Sequence, residues 1–254
     1  MGKILAIANQ KGGVGKTTTA IKLGASLVAA EKSCLIVDCD PQGNATTGLG
    51  LDKAILAQGL YEWLLGSARR EDIIAQTAMP GLELIGATAD LIGAEVEMTN
   101  VESREYQLTT KIGPLREKYD YLILDCPPSL GFLTLNALTA TDSVLVPLQC
   151  EYYALEGLSE LLKTLNAVKK RLNPSLKLSG ILLTMYDARN NLSVQVEEEV
   201  RNHFKEGVFK TIIPRNVRLS EAPSHGEPIL LYDIKSKGAQ SYLDLARELI
   251  SRSG

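Results

Sequence analysis

A chain of 254 residues, 45% hydrophobic and 22% charged, has the size of one α/β domain with a sizeable core, and its composition excludes a disordered protein. Its formal charge of −3 excludes nucleic-acid binding through bulk charge. No apolar run approaches the ~20 residues of a membrane span, and the first such run is too short for a signal peptide, so a cytoplasmic location is expected.

Short apolar runs alternate along the chain with longer helical patterns. Residues 4–8 read as a strand, residues 16–30 as a helix and residues 34–37 as a second strand. The stretch from about 48 to 80 is the least regular. It holds the only tryptophan, Trp63, which reads as a packing residue on a short helix. Strand-like runs follow at 82–85, 121–124, 143–146, 178–183 and 208–213, with helical patterns at 102–118, 132–140, 155–171, 194–204 and 240–251. The strand runs are continuously apolar, as in strands covered on both faces. The alternation predicts an α/β fold: a single domain over residues 1–254 with a mostly parallel, twisted sheet flanked by helices on both faces.

The four cysteines, Cys34, Cys39, Cys126 and Cys150, have no zinc or redox spacing. They read as small buried hydrophobes in a reducing compartment. Charge is uneven: residues 1–150 carry 12 basic and 17 acidic side chains, residues 151–254 carry 15 and 13. Any DNA-binding surface is therefore expected as a local patch in the second part.

The strongest chemical signal is Gly15-Lys16-Thr17 between a strand and a helix. Glycines let backbone amides turn around phosphate oxygens without a Cβ in the way. The helix that starts near Lys16 aims its N–H groups and dipole at the anion. Lys16 supplies a cation between the β- and γ-phosphates, the Thr17 hydroxyl is placed for Mg²⁺, and Thr18 for the α-phosphate. The loop departs from the usual G-x-x-x-x-G-K-[ST] pattern, because Gln10 stands where its first glycine falls and a second lysine, Lys11, opens the loop. Lys11 is too far along to duplicate Lys16 from the same side.

Two further carboxylate sites follow. Asp38 and Asp40 close the second strand, two residues apart and so on one face. Either can orient a water for attack on the γ-phosphate or hold a magnesium water, and either can cap the next turn; Asp40 is the favoured candidate. Asp125 ends an apolar strand, where a carboxylate needs a reason such as water-mediated Mg²⁺ binding.

These motifs together resemble the ParA/MinD ATPases, specifically the ParA/Soj branch. Asn9-Gln10-Lys11-Gly12-Gly13-Val14-Gly15-Lys16-Thr17-Thr18 resembles the deviant Walker A loop of that family. Asp38-Cys39-Asp40-Pro41-Gln42-Gly43-Asn44 is similar to its second motif, and Leu122-Ile123-Leu124-Asp125-Cys126-Pro127-Pro128 to its Walker B strand. Thr184-Met185-Tyr186-Asp187 and the run from Ile213 to Pro223 match the same branch, and the likeness extends from residue 3 to about 245.

The resemblance implies an ATP hydrolase that uses Mg²⁺ and is catalysed by Lys11, Lys16 and Asp40. ATP is held by residues Lys11, Gly12, Gly13, Val14, Gly15, Lys16, Thr17 and Thr18. It implies that Pro214, Arg215 and Asn216 wrap the adenine, with Met185 near the ring. It implies an ATP-bound sandwich homodimer in which Lys11 reaches the partner's phosphates, and nonspecific double-stranded DNA bound through Arg189 and Arg218, extended by Lys205 and Lys210. A ParB/Spo0J-like centromere-binding protein is the implied activator of slow hydrolysis, and the nucleoid the implied location.

Three readings stay open: this DNA-segregation ATPase, a MinD-like membrane-positioning ATPase, and a nitrogenase-type iron protein of the same superfamily. The first is favoured. The last helical pattern, 240–251, has mixed charge in place of a basic amphipathic membrane helix. The iron protein needs paired cysteine ligands, whereas these cysteines lie mostly in strand-like runs. The chain begins at its first strand, which matches chromosomal Soj-type members better than plasmid ParA proteins with a DNA-binding extension.

Overall fold

The computed structural model describes residues 1–252. Its seven strands are β1 (Lys3–Ile7), β2 (Cys34–Asp38), β3 (Ile74–Gln76), β4 (Leu82–Ile85), β5 (Tyr121–Asp125), β6 (Ser143–Gln149) and β7 (Lys177–Thr184). They form one sheet in the order β3-β4-β2-β5-β1-β6-β7, parallel throughout except for the β3–β4 edge pair.

The sheet separates two cores, and side-chain alternation along the strands assigns residues to each. Ile4, Ala6, Leu35, Val37, Leu122 and Leu124 belong to the core shared with the helices Leu60–Leu65, Gln107–Ile112, Phe132–Ala140 and Ala154–Arg171. Leu5, Ile7, Cys34, Ile36, Tyr121 and Ile123 face the helices Lys16–Ala29 and Lys237–Arg252. Covering on both faces is what makes β2 and β5 read as unbroken apolar runs. The chain leaves central β1 for β2 and β4 on one side, then returns for β6 and β7 on the other. The point where strand order reverses opens a crevice at the carboxyl ends of the strands.

Three elements differ from the sequence expectation. Residues 102–118 are not one helix. They form a 3₁₀ turn (Arg104–Tyr106), an α-helix (Gln107–Ile112) and a second 3₁₀ turn (Gly113–Glu117). Pro114 lacks an amide proton, so the α-helical hydrogen bond fails there and the chain tightens into a 3₁₀ turn although Gly113 keeps helical angles. Residues 208–213 run beside β7 but join it only at isolated contacts, with Phe209 N–H donating to the Ile181 carbonyl and Ile213 N–H to Leu183. The Lys210 and Thr211 amides between them donate to the Glu248 carboxylate instead, which interrupts the ladder. The short antiparallel β3 falls in the irregular stretch and carries too little pattern to be read.

One buried charge in this frame has a measurable cost. Lys22, on the helix Lys16–Ala29, is fully buried, and its ammonium donates a long 3.3 Å hydrogen bond to the Glu227 carbonyl. Burial lowers its pKa from 10.5 to about 8. The unfolded chain therefore binds more protons than the fold between those two values, so this group makes stability rise with pH from about 8 to 10.5. Lys22→Met is expected to stabilise the protein at pH 7 by about 1–3 kcal/mol and to flatten that alkaline rise, measured by denaturant unfolding across pH.

Candidate nucleotide-binding site

The loop after β1 is shaped by glycine and pinned from both sides. Gly13 and Gly15 have φ of 75° and 89°, left-handed conformations that other residues adopt at a cost. A Cβ at Gly12, Gly13 or Gly15 would meet nothing within 4 Å, so these backbones face open space. Val14 is buried, and its carbonyl accepts from the Thr184 hydroxyl at the end of β7, 2.9 Å away. Asn9 donates to the Pro147 carbonyl on β6 at 2.7 Å, and its side-chain oxygen accepts from the Lys11 amide at 3.0 Å. The helix Lys16–Ala29 begins at Gly15 without a side-chain cap or an acidic residue in its first turn. Its first amides and positive dipole end are left for an anion.

Beside this loop lies a cavity of about 800 Å³. Gly12, Gly13, Gly15, Lys16, Thr17, Thr18, Asp40, Met185, Pro214, Arg215 and Asn216 all line it. The phosphate loop and the two distant segments around 185 and 215 therefore meet at one cavity. Met185 has a φ of 49°, a strained conformation for a side chain of its size, held at the cavity wall. Tyr186 N–H donates to the Ile213 carbonyl and Arg215 N–H to Tyr186, which knits the two segments together. The Asn216 side-chain oxygen is buried without a hydrogen-bond partner, an acceptor that a ligand donor can satisfy.

The carboxylates divide by role. Asp38 and Asp125 lie level on adjacent parallel strands, and both are fully buried. Asp38 is saturated: one oxygen accepts from the Asp40 amide at 3.2 Å, the other from the Thr46 amide at 2.9 Å and hydroxyl at 2.7 Å. Burial still pushes its carboxyl up to about 6, against the pull of those hydrogen bonds. Asp40 accepts from the Gln42 amide at 2.9 Å and faces the cavity. Of the two acids, Asp40 is thus the one with access to a ligand.

Both Asp125 oxygens are buried with no hydrogen-bond partner. Burial first, then the neighbouring Asp38 charge, raises its pKa well above the carboxylate range; the nearby Thr17 hydroxyl opposes this without reaching either oxygen in hydrogen-bond geometry. Lys16 is nearly buried, and its ammonium donates to the Lys11 carbonyl at 2.9 Å. Burial lowers its pKa, with the Asp125 carboxylate the strongest opposing influence. An orphaned buried carboxylate beside a Thr hydroxyl fits a hard, oxygen-seeking cation such as Mg²⁺.

Lys11 turns away from the cavity and forms an ion pair with Glu151, both side chains about half exposed. Arg189 and Arg218 also lie outside the cavity, on the surface. Lys205 and Lys210 are exposed as well. Sequence reasoning missed Asn9, Thr46, Thr184 and Glu151 as partners of these groups. Each contact joins residues far apart in the chain or lacks a spacing signal. Among the described residues, the four cysteines are all buried and no cluster of metal-ligating side chains forms.

A family model described as an AAA domain matches residues 2–178. The chain is 59% identical over 249 residues to the Bacillus subtilis sporulation initiation inhibitor protein Soj, covering 98% of each. It is 59% identical to the Myxococcus xanthus chromosome partitioning protein ParA, covering 99% of this chain and 89% of that one. The chain belongs to the ParA/Soj family of P-loop ATPases. A solved Mycobacterium smegmatis structure, described as cobyrinic acid a,c-diamide synthase with bound ADP and magnesium, superposes on this ParA/Soj-family chain with a TM-score of 0.88. It is 40% identical and covers 100% of this chain and 96% of that one.

Asp38 is held as a structural acid in this site, so its support is a stability determinant. The Thr46 hydroxyl donates to Asp38 and accepts from the Ala87 amide at 2.9 Å. Thr46→Val is expected to cost about 1–3 kcal/mol in denaturant unfolding, because it leaves buried groups unpaired.

Proposed function

We propose that this chain is an ATP-dependent DNA-segregation ATPase whose ATP-bound form is a sandwich homodimer. The observation that carries the proposal is the direction of Lys11. It stands on the phosphate loop, yet its ammonium leaves its own cavity and meets Glu151 at an exposed face. The adjoining Tyr152 and Tyr153 are 77% and 66% exposed, an aromatic pair of the kind that interfaces cover. A second copy placed on this face brings each Lys11 toward the other's triphosphate.

In this reading the chain's own groups divide the work. The amides of residues 12–18 and the start of the following helix bind the phosphates, and Lys16 balances charge between the β- and γ-positions. The cavity walls at Met185, Pro214, Arg215 and Asn216 hold the base, with the unpaired Asn216 oxygen accepting from its exocyclic amine. Asp40 orients the attacking water for in-line displacement. Thr17 and, through water, Asp40 and Asp125 would hold Mg²⁺, which supplies charge neutralisation at the transferring phosphoryl group. Lys11 from the partner subunit completes the charge balance, so hydrolysis waits on dimerisation.

Named relatives favour partitioning over amide synthesis, at 59% against 40% identity. A membrane-positioning role is not favoured. The apolar stripe of the helix Lys237–Arg252 (Tyr242, Leu245, Ala246 and Leu249) is spent against the core. No helix among the described residues is long and apolar enough to cross a membrane. An iron-protein role is not favoured either, since all four cysteines are buried inside the subunit.

DNA contact is assigned to Arg189 and Arg218, with Lys205 and Lys210 as outer members, and to phosphate more than to base. Dimerisation lets two weak patches act as one. The partner that triggers hydrolysis is a ParB/Spo0J-like centromere-binding protein, and the working location is the nucleoid in the cytoplasm.

Two measurements test this. With ATP and Mg²⁺, wild type is expected to dimerise in analytical ultracentrifugation, and Lys11→Ala to weaken that dimer at least about tenfold. Asp40→Ala is expected to keep the ATP dimer and its DNA binding while hydrolysis falls about 10²–10⁴-fold. A chain that stays monomeric with ATP and Mg²⁺ while hydrolysis is blocked defeats the proposal, and equal DNA binding with ATP, ADP and no nucleotide defeats its DNA arm.

A further inference from the structure

Both arginines assigned to DNA are already occupied in this structure. Arg189 makes a two-point contact with Asp187, Nε to Oδ1 at 2.9 Å and Nη2 to Oδ2 at 2.8 Å. Arg218 is held by two acids from different segments. Its Nη1 donates to Glu221 Oε2 at 2.9 Å, and its Nε lies 3.6 Å from Asp233 Oδ2. Glu221 is itself fixed, because the Tyr232 hydroxyl donates to the same oxygen at 3.3 Å. The His225 ring stacks on Tyr232, with centroids 4.9 Å apart. One guanidinium between two carboxylates leaves the spot with a formal charge of −1, which repels the DNA backbone.

The position of this cluster matters as much as its charge. Arg218 sits on the short helix Val217–Glu221, whose N-cap is Asn216. Asn216 and Val217 line the nucleotide cavity, and Arg215 is bonded through its amide to Tyr186 in the loop that leads to Arg189.

We propose that Glu221 and Asp233 form a carboxylate clamp that competes with DNA phosphate for Arg218 and keeps the nucleotide-free chain a poor DNA binder. The inference rests on the DNA-binding reading above and adds two acidic positioning residues to it. Phosphate contact requires the guanidinium to exchange one set of charge-assisted hydrogen bonds for another. Exposed ion pairs of this kind are individually weak, so the clamp is readily displaced when a second copy adds its own patch.

The test is a double-mutant cycle on DNA affinity. Binding of short duplexes of unrelated sequence is measured by fluorescence anisotropy, without nucleotide, over a range of salt. Glu221→Gln with Asp233→Asn is expected to tighten binding roughly three- to tenfold, from the loss of two exposed ion pairs. The slope of log affinity against log salt should steepen by about 1, because one more cation reaches phosphate. In an Arg218→Ala background the same two substitutions should give at most about twice the small gain of Glu227→Gln, which removes one charge from the same segment outside the clamp where they remove two. ATP binding and the thermal midpoint of each variant establish that the fold is intact.

An unchanged affinity, or an equal gain with and without Arg218, overturns the clamp. If wild type binds DNA with ATP while the double variant gains nothing, the clamp alone fails. If neither protein binds DNA in any nucleotide state, the DNA-binding reading fails with it.

Discussion

The site is organised around two carboxylates placed level on neighbouring strands. The parallel register of β2 and β5 sets Asp38 beside Asp125, inside the sheet and away from water. Two like charges at that spacing are costly unless each has compensation. Asp38 receives it locally from three hydrogen bonds. Asp125 receives none, and only the Lys16 ammonium and the Thr17 hydroxyl temper its field. The fold therefore holds an unsatisfied buried carboxyl under the phosphate loop, and burial favours its neutral form until a cation offsets the charge. In the proposed ATP-bound state a cation would satisfy it, which would link ligand binding to stability through this residue.

That arrangement works only if the loop above it cannot drift. The constraint comes from the carboxyl ends of β6 and β7. Thr184 holds the Val14 carbonyl and Asn9 holds the Pro147 carbonyl, each across more than a hundred residues of chain. The same end of β7 turns sharply at Met185 and passes hydrogen bonds to the segment 213–215. The phosphate-loop wall and the 213–216 wall of the cavity thus share one scaffold strand. Strain at Met185 is the cost of that sharing, and it sits where positioning matters most.

Much of this was legible in the sequence because it depends on local rules. Gly15-Lys16-Thr17 between an apolar run and a helical pattern specifies a phosphate loop from steric and dipole arguments alone. Continuous apolar runs at 34–37 and 121–124 specify covered parallel strands, and the acids that end them mark the crevice. The misreadings have equally physical causes. Residues 208–213 have a strand's composition, but Glu248, thirty-seven residues away from Thr211, takes the amides a ladder needs. Residues 102–118 have helical periodicity, which Gly113-Pro114 interrupts. The choice between Asp38 and Asp40 was open to the sequence, since both share a face. Thr46 separates them in the fold: from the short helix Asn44–Gly48 it ties up Asp38 and leaves Asp40 facing the cavity. Tertiary hydrogen bonds of this kind leave no periodic trace.

Lys11 shows why a phosphate loop can gain a regulatory step from one substituted position. A lysine inside the cavity would assist hydrolysis in a lone subunit at all times. Here the loop start is tied down by Asn9, which directs the Lys11 side chain outward to Glu151. Its pairing with an exposed carboxylate is worth at most about 1 kcal/mol, so the lysine is held without being locked. A triphosphate carries far more charge than one glutamate and can replace it. In the proposed dimer, the energetic preference runs from the ion pair within one chain toward a contact between chains when nucleotide is present. In the dimer proposed above, completion of the site depends on association, and the second subunit's arrival is the event that licenses hydrolysis.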